Sequence, residues 1–102
     1  MKEVPLGIAV MDISQNLARM GNWTADSFDE KKNLIEKFLA QTKNYVEEVS
    51  SRKLPEDFEK LFLRFKKEFE EFSISKFAKK REEWAEKLLT WSNILQHRAN
   101  LT

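Results

Sequence analysis

Residues 55–97 decide the fold of this protein, and their sequence is PEDFEKLFLRFKKEFEEFSISKFAKKREEWAEKLLTWSNILQH. The first part of this stretch has an apolar face with helical spacing, formed by Phe58, Leu61, Phe62, Phe65, Phe69 and Phe72. The second part has an apolar stripe with alternating steps of three and four residues, as in a heptad seam: Ile74, Phe77, Arg81, Trp84, Leu88, Trp91 and Leu95. Continuing the first stripe predicts an apolar residue at position 76, which is Lys76, so the two stripes are out of phase at Ser73-Ile74-Ser75.

This phase change is compatible with two structures. In one, a tight turn ends the first helix and Ser73 or Ser75 caps a further helix, which gives an antiparallel four-helix bundle. In the other, one bent helix runs from Pro55 to about His97, which is about 43 residues or roughly 65 Å. A single chain of 102 residues cannot bury so long a rod, so this alternative of three helices with a long bent carboxy-terminal helix requires a dimer. We favour the turn, and therefore an all-α, antiparallel four-helix bundle.

Two more helices are predicted before Pro55. The apolar stripe of the first consists of Leu6, Val10, Ile13, Leu17 and Met20. Gly21 follows directly, and since glycine is a common helix stop we expect this helix to end there. The second begins with Thr24 as its cap, or with Ser27 and Glu30 as a competing capping box. The predicted helices are about 6–20, 25–50, 55–72 and 75–98, in one domain that covers residues 1–102.

The composition excludes several kinds of catalytic and metal site. The chain has no cysteine and one histidine, so disulfides, cysteine-ligated zinc, iron–sulfur clusters and sites that need two histidines are excluded. Gly7 and Gly21 stand alone, without a phosphate-binding glycine loop. Adjacent carboxylates such as Glu82 and Glu83 point about 100° apart on a helix and cannot share a site. We therefore expect no enzyme, with no catalytic residue, cofactor or metal ligand; the open alternative is an enzyme subunit that a partner completes.

Neither the longest apolar run nor the net charge predicts a membrane protein. The run from Val4 to Met11 contains eight residues, whereas a membrane-spanning helix needs about 20. The net charge of +1 gives no general attraction to anionic lipid. We expect no membrane association and a cytoplasmic location.

Apolar residues outside the stripes predict an interaction surface. Ile8 and Met11 lie off the stripe of the first helix, and Leu63 lies about 140° from Phe58 around its helix. The candidate interface residues are Ile8, Met11, Leu63, Trp84, Trp91 and Ile94. They indicate a small adaptor, assembly factor or regulatory subunit that acts through apolar helix faces. The expected partner is a second copy in a homodimer, another protein, or both.

A basic segment at residues 76–81 indicates an alternative function as a nucleic-acid-associated regulator. Clustered lysine and arginine on one face hold a phosphate backbone. The candidate contacts are Lys76, Lys79, Lys80 and Arg81. Glu82, Glu83 and Glu86 follow at once and would repel the same phosphates, so we rank this alternative below protein binding.

Overall fold

A computed structural model of the chain describes residues 4–101, which form five helices and no strand. In chain order the helices are α1 (Leu6–Asp26), α2 (Phe28–Ser50), α3 (Glu56–Phe69), α4 (Ile74–Lys79) and α5 (Arg81–Leu101). Among the three long helices, α1 packs against both α2 and α5. The prediction of an all-α helical bundle is therefore confirmed.

The turn between the two out-of-phase stripes is also confirmed, and the long bent helix is absent from the described residues. The chain leaves α3 through a turn in which the Phe72 amide donates to the Phe69 carbonyl at 2.9 Å. Ser73 then caps α4, because its hydroxyl oxygen accepts a hydrogen bond from the Lys76 amide at 3.3 Å. This cap and turn let Phe72 and Phe77 point into the same core despite the change of phase.

The predicted fourth helix, 75–98, is wrong in one respect, because a break at Lys80 divides it into α4 and α5. Lys80 has φ −138° and ψ 69°, which is outside the helical region. Phe77 and Trp84 on either side of the break both face the core, with ring centroids 5.9 Å apart. Arg81, predicted to occupy the apolar seam between them, is instead exposed and bonded to Asp29 of α2 at 2.9 Å.

The predicted stop at Gly21 is wrong, because α1 continues to Asp26. A Cβ atom on Gly21 would lie 2.8 Å from Leu89 Cγ and 3.3 Å from the Ala85 carbonyl oxygen, closer than ordinary van der Waals contact. Glycine at this position therefore permits the close approach of α5 and does not end the helix. Thr24, predicted as a cap, is consequently buried inside α1. Ser27 occupies the cap position of α2, as the competing capping box predicts, but its side chain makes no capping hydrogen bond.

Small residues lie at close points of contact between the antiparallel helices α1 and α5. The Ser14 hydroxyl donates to the Ser92 carbonyl oxygen at 2.8 Å, and the Ser92 hydroxyl donates to the Ser14 carbonyl oxygen at 2.8 Å. Gly21, seven residues after Ser14, lies next to Ala85, which is seven residues before Ser92. The same antiparallel register, extended by seven residues in the opposite direction, pairs Gly7 with Ala99. Heptad rows of small residues thus allow the two backbones to pack closely.

Aromatic rings, in contrast, hold α3 against the bundle. Consecutive rings of Phe58, Phe62, Phe65, Phe69 and Phe72 have centroids 5.1–5.6 Å apart. Phe65 also contacts Trp91 of α5 at 5.2 Å, and Phe72 contacts Trp84 at 5.7 Å. Because these side chains are large, few backbone positions of α3 come close to its neighbours, whereas α1 and α5 approach each other at many positions. A groove runs along each side of α3.

No helix within residues 4–101 is both long enough and apolar enough to cross a membrane.

Candidate interaction surfaces

The six candidate interface residues do not share one surface. Ile8 is 53% exposed and Leu63 is 55% exposed, but they lie on different helices, α1 and α3. Trp84 and Trp91 are each only 7% exposed, because Phe72, in the turn after α3, packs on Trp84 and Phe65 of α3 packs on Trp91. The two remaining candidates, Met11 and Ile94, are half-buried against the core. Among the six candidates, Ile8 is thus the exposed apolar residue of α1, and the half-buried Met11 lies beside it.

The face of α1 that contains Ile8 and Met11 includes a row of six residues without a charge. We call these positions the outer seam: Ile8, Met11, Gln15, Ala18, Asn22 and Ala25. Their steps of three and four residues place them on one side of the helix. Met11 and Ala18 are half-buried, and the other four are exposed. Since 34% of the chain is charged, about two charges would be expected among six positions of average composition.

Helix α5 extends this uncharged surface beside the outer seam. Leu89 borders α1 at Gly21, and Asn93, Gln96 and Asn100 follow on the same side of α5 at helical spacing. These three polar residues are exposed and carry no charge. We call the outer seam together with these four residues of α5 the outer face. In the sequence, only Ile8 and Met11 stand out here as apolar residues off the stripe, because the missing charges become visible only when α1 and α5 are placed side by side.

One end of the outer face is acidic. Asp26 follows the last turn of the outer seam, and Glu82 and Glu86 precede Leu89 on the same side of α5. All three carboxylates belong to exposed residues. The face therefore has a direction, from an apolar end at Ile8 to an acidic end at Asp26.

The grooves beside α3 have a different character. The groove between α2 and α3 has a volume of about 520 Å³, with an apolar floor that includes Leu39 and Phe69. The groove between α3 and α5 has a volume of about 470 Å³ and contains Ile94. Charged residues line both grooves: Glu36, Lys43, Glu47, Lys66 and Glu70 in the first, and Arg64, Glu68, Glu83, Glu86 and Lys87 in the second. Mixed charges of both signs keep these grooves well hydrated and select no ligand charge.

The basic segment at residues 76–81 is largely compensated by carboxylates of this chain. Arg81 bonds to Asp29 at 2.9 Å and stacks over Phe28, with its guanidinium carbon 5.0 Å from the ring centroid. The Lys76 and Lys80 ammonium groups lie 3.8 Å and 3.6 Å from the carboxylates of Glu71 and Glu83, respectively. The fourth predicted contact, Lys79, is exposed on α4. Ion pairs of this kind reduce the positive potential available to a phosphate backbone.

Within the described part of the chain, no group of three or more histidine, aspartate or glutamate side chains could hold a metal ion. His97, the single histidine, is exposed near the end of α5. Comparisons of the chain with known protein families, with curated proteins and with solved structures find no match.

Proposed function

We propose that this protein is a small non-enzymatic interaction module, an adaptor, assembly factor or regulatory subunit that binds a protein partner through the outer face. The observation that carries this proposal is the uncharged surface formed by α1 and α5 in a chain of which 34% is charged. The cytoplasmic location predicted from the sequence is part of the same proposal, and fractionation of cells that express the full chain tests it.

The free-energy cost of removing water favours partner binding at the outer face over binding at the charged faces. A charged side chain loses several kcal/mol of hydration when it is buried without a partner, whereas amide and apolar side chains lose much less. Protein interfaces are accordingly depleted of charge at their centres. The exposed side of α2 is the opposite case, because its exposed residues include Lys32, Glu36, Lys37, Lys43 and Glu47.

Site-specific photo-crosslinking tests the proposal. A photoreactive amino acid at Ile8 is compared with the same amino acid at Leu63, because the two side chains are almost equally exposed but lie on different surfaces. We expect a discrete covalent protein adduct from position 8 in growing cells, and little or none from position 63. No adduct at position 8, or equal adducts at both positions, would contradict binding at the outer face.

Nucleic-acid binding by the basic segment is less well supported than protein binding at the outer face. Three of its four candidate contacts already pair with carboxylates among the described residues. If this alternative were correct, nucleic acid would purify with the protein, and its affinity would fall steeply with salt.

A further inference from the structure

We infer that the partner at the outer face is a second copy of this chain, with α1 packed antiparallel against α1 of that copy. This inference rests on the proposed function and specifies its partner. The outer seam has the 3–4 spacing of a heptad seam, so it is a second coiled-coil face on a helix whose inner stripe is already buried in the bundle.

The sizes of the side chains favour the antiparallel direction. The large residues Ile8, Met11 and Gln15 occupy the first half of the outer seam, and the smaller residues Ala18, Asn22 and Ala25 occupy the second half. In an antiparallel pair, Ile8 meets Ala25 of the second copy, Met11 meets Asn22, and Gln15 meets Ala18. Each layer then contains one large and one smaller side chain, which gives an even helix separation. A parallel pair would set large on large at one end and small on small at the other.

The charges at the border of the outer seam favour the same direction. In a parallel pair the acidic end with Asp26 would face its own copy, and like charges repel. In the antiparallel pair this acidic end lies over the apolar end at Ile8. Asp12 and Arg19 are exposed and flank the seam on the side away from α5. The antiparallel arrangement brings Asp12 of one copy within about one helical turn of Arg19 of the other.

The available area is sufficient for a reversible dimer. Helix α1 contains 21 residues and is therefore about 31 Å long. With α5 beside it at an interaxial distance of 8–10 Å, the outer face is about 18 Å wide. The interface then covers about 560 Å² per copy, or about 1,100 Å² in total, near the lower limit for specific protein–protein interfaces.

Light scattering on a sizing column tests the dimer. We expect a mass of about twice 12.1 kDa for the native chain. We expect Ile8→Glu to lower the apparent mass to that of one chain, because the new charge would be buried against Ala25 of the second copy. The matched control is Leu63→Glu, which adds the same charge at an equally exposed position and should leave the dimer intact. Circular dichroism verifies that both variants keep their helical content.

Cysteine pairs test the direction, because the native chain contains no cysteine. An equal mixture of Ile8→Cys and Ala25→Cys chains should form disulfide-linked pairs of the two different variants. Ile8→Cys alone should not, since its two copies would lie about 25 Å apart along the seam, far beyond disulfide reach. Disulfide-linked dimers formed by the Ile8→Cys variant on its own would overturn the antiparallel arrangement.

Failure of the dimer is distinguishable from failure of the proposed function. A native mass of 12.1 kDa at protein concentrations up to about 1 mM would overturn the inference of a second copy. If position 8 nevertheless cross-links to a different protein, the interaction module stands and only its partner changes. A dimer that is lost in Leu63→Glu and kept in Ile8→Glu would overturn both, because the interface would then lie on α3.

Discussion

Replacement of Gly21 by alanine tests whether α1 and α5 pack as closely as the structure indicates. Gly21 lies inside α1, where helix propensity alone predicts that alanine stabilises the protein by about 1 kcal/mol. The packing predicts the opposite sign. The new methyl group would lie 2.8 Å and 2.9 Å from two carbon atoms of Leu89, where ordinary contacts are 3.4–4 Å.

The magnitude follows from these two opposing effects. To restore ordinary contact, Leu89 must move by about 0.5 Å or more, and overpacking of this kind costs about 1–3 kcal/mol. The Ala85 carbonyl oxygen, 3.3 Å from the same position, limits how far the helices can adjust. After the propensity gain is subtracted, we expect Gly21→Ala to lower the free energy of unfolding by about 1 kcal/mol, or about 4–8 °C in Tm.

A double-mutant cycle with Leu89→Ala tests whether contact with Leu89 causes the destabilisation by Gly21→Ala. Truncation of Leu89 removes both short contacts, so in that background Gly21→Ala should be neutral or stabilising, with a coupling of about 1–2 kcal/mol. Ala40→Gly, at an exposed position inside α2 and away from the outer face, calibrates the propensity effect. Urea unfolding followed by circular dichroism provides the free energies. An increase in stability for Gly21→Ala in the native background would refute the close packing of α1 and α5.

Three further predictions concern polar groups. The Thr24 hydroxyl is buried and has no hydrogen-bond partner among the described residues, so Thr24→Val should raise the free energy of unfolding by about 1–2 kcal/mol. A lower Tm of the variant in thermal denaturation would show that the hydroxyl is hydrogen-bonded. The Thr42 hydroxyl donates to a backbone carbonyl oxygen and accepts from the Asn16 amide, so Thr42→Val should instead lower that free energy by about 1–3 kcal/mol, and an unchanged urea midpoint would contradict this role. The ion pair of Arg81 and Asp29 is largely exposed, so the coupling between Arg81→Ala and Asp29→Ala should stay below about 1 kcal/mol and decrease with salt; a larger, salt-independent coupling would be inconsistent with an exposed pair.

Much of the fold could be predicted from the sequence because its signals are local. The turn at Ser73 combines a phase change in the apolar stripe with a capping side chain, and both are readable along the chain. The sequence predicts too short an α1, because the role of Gly21 depends on α5, which is distant in sequence. The break at Lys80 has no comparable signal, since lysine is a good helix former.

The candidate surface was only partly predictable. Ile8 and Met11 are conspicuous as apolar residues off the stripe, but Gln15 and Asn22 look like ordinary surface residues until their face is compared with the charged faces of other helices. Whether Trp84 faces the core or the surface depends on Phe72, which covers it from the end of α3. Small residues recur every seven positions around Ser14 and around Ser92, but this spacing alone does not show that the two rows face each other.

The reciprocal serine contact has a consequence for the order of folding. Ser14 and Ser92 are 78 positions apart in the chain. The contact between α1 and α5 can therefore form only after most of the chain has been synthesised. During synthesis, α1 leaves the ribosome several seconds before α5, at ordinary rates of about 5–20 residues per second. Until then, among the long helices of residues 4–101, only α2 is available to shield the inner stripe of α1, and the outer seam stays uncovered. The nascent chain is therefore most exposed to premature association at its first helix, and pairing with α5 ends that exposure for the inner stripe alone.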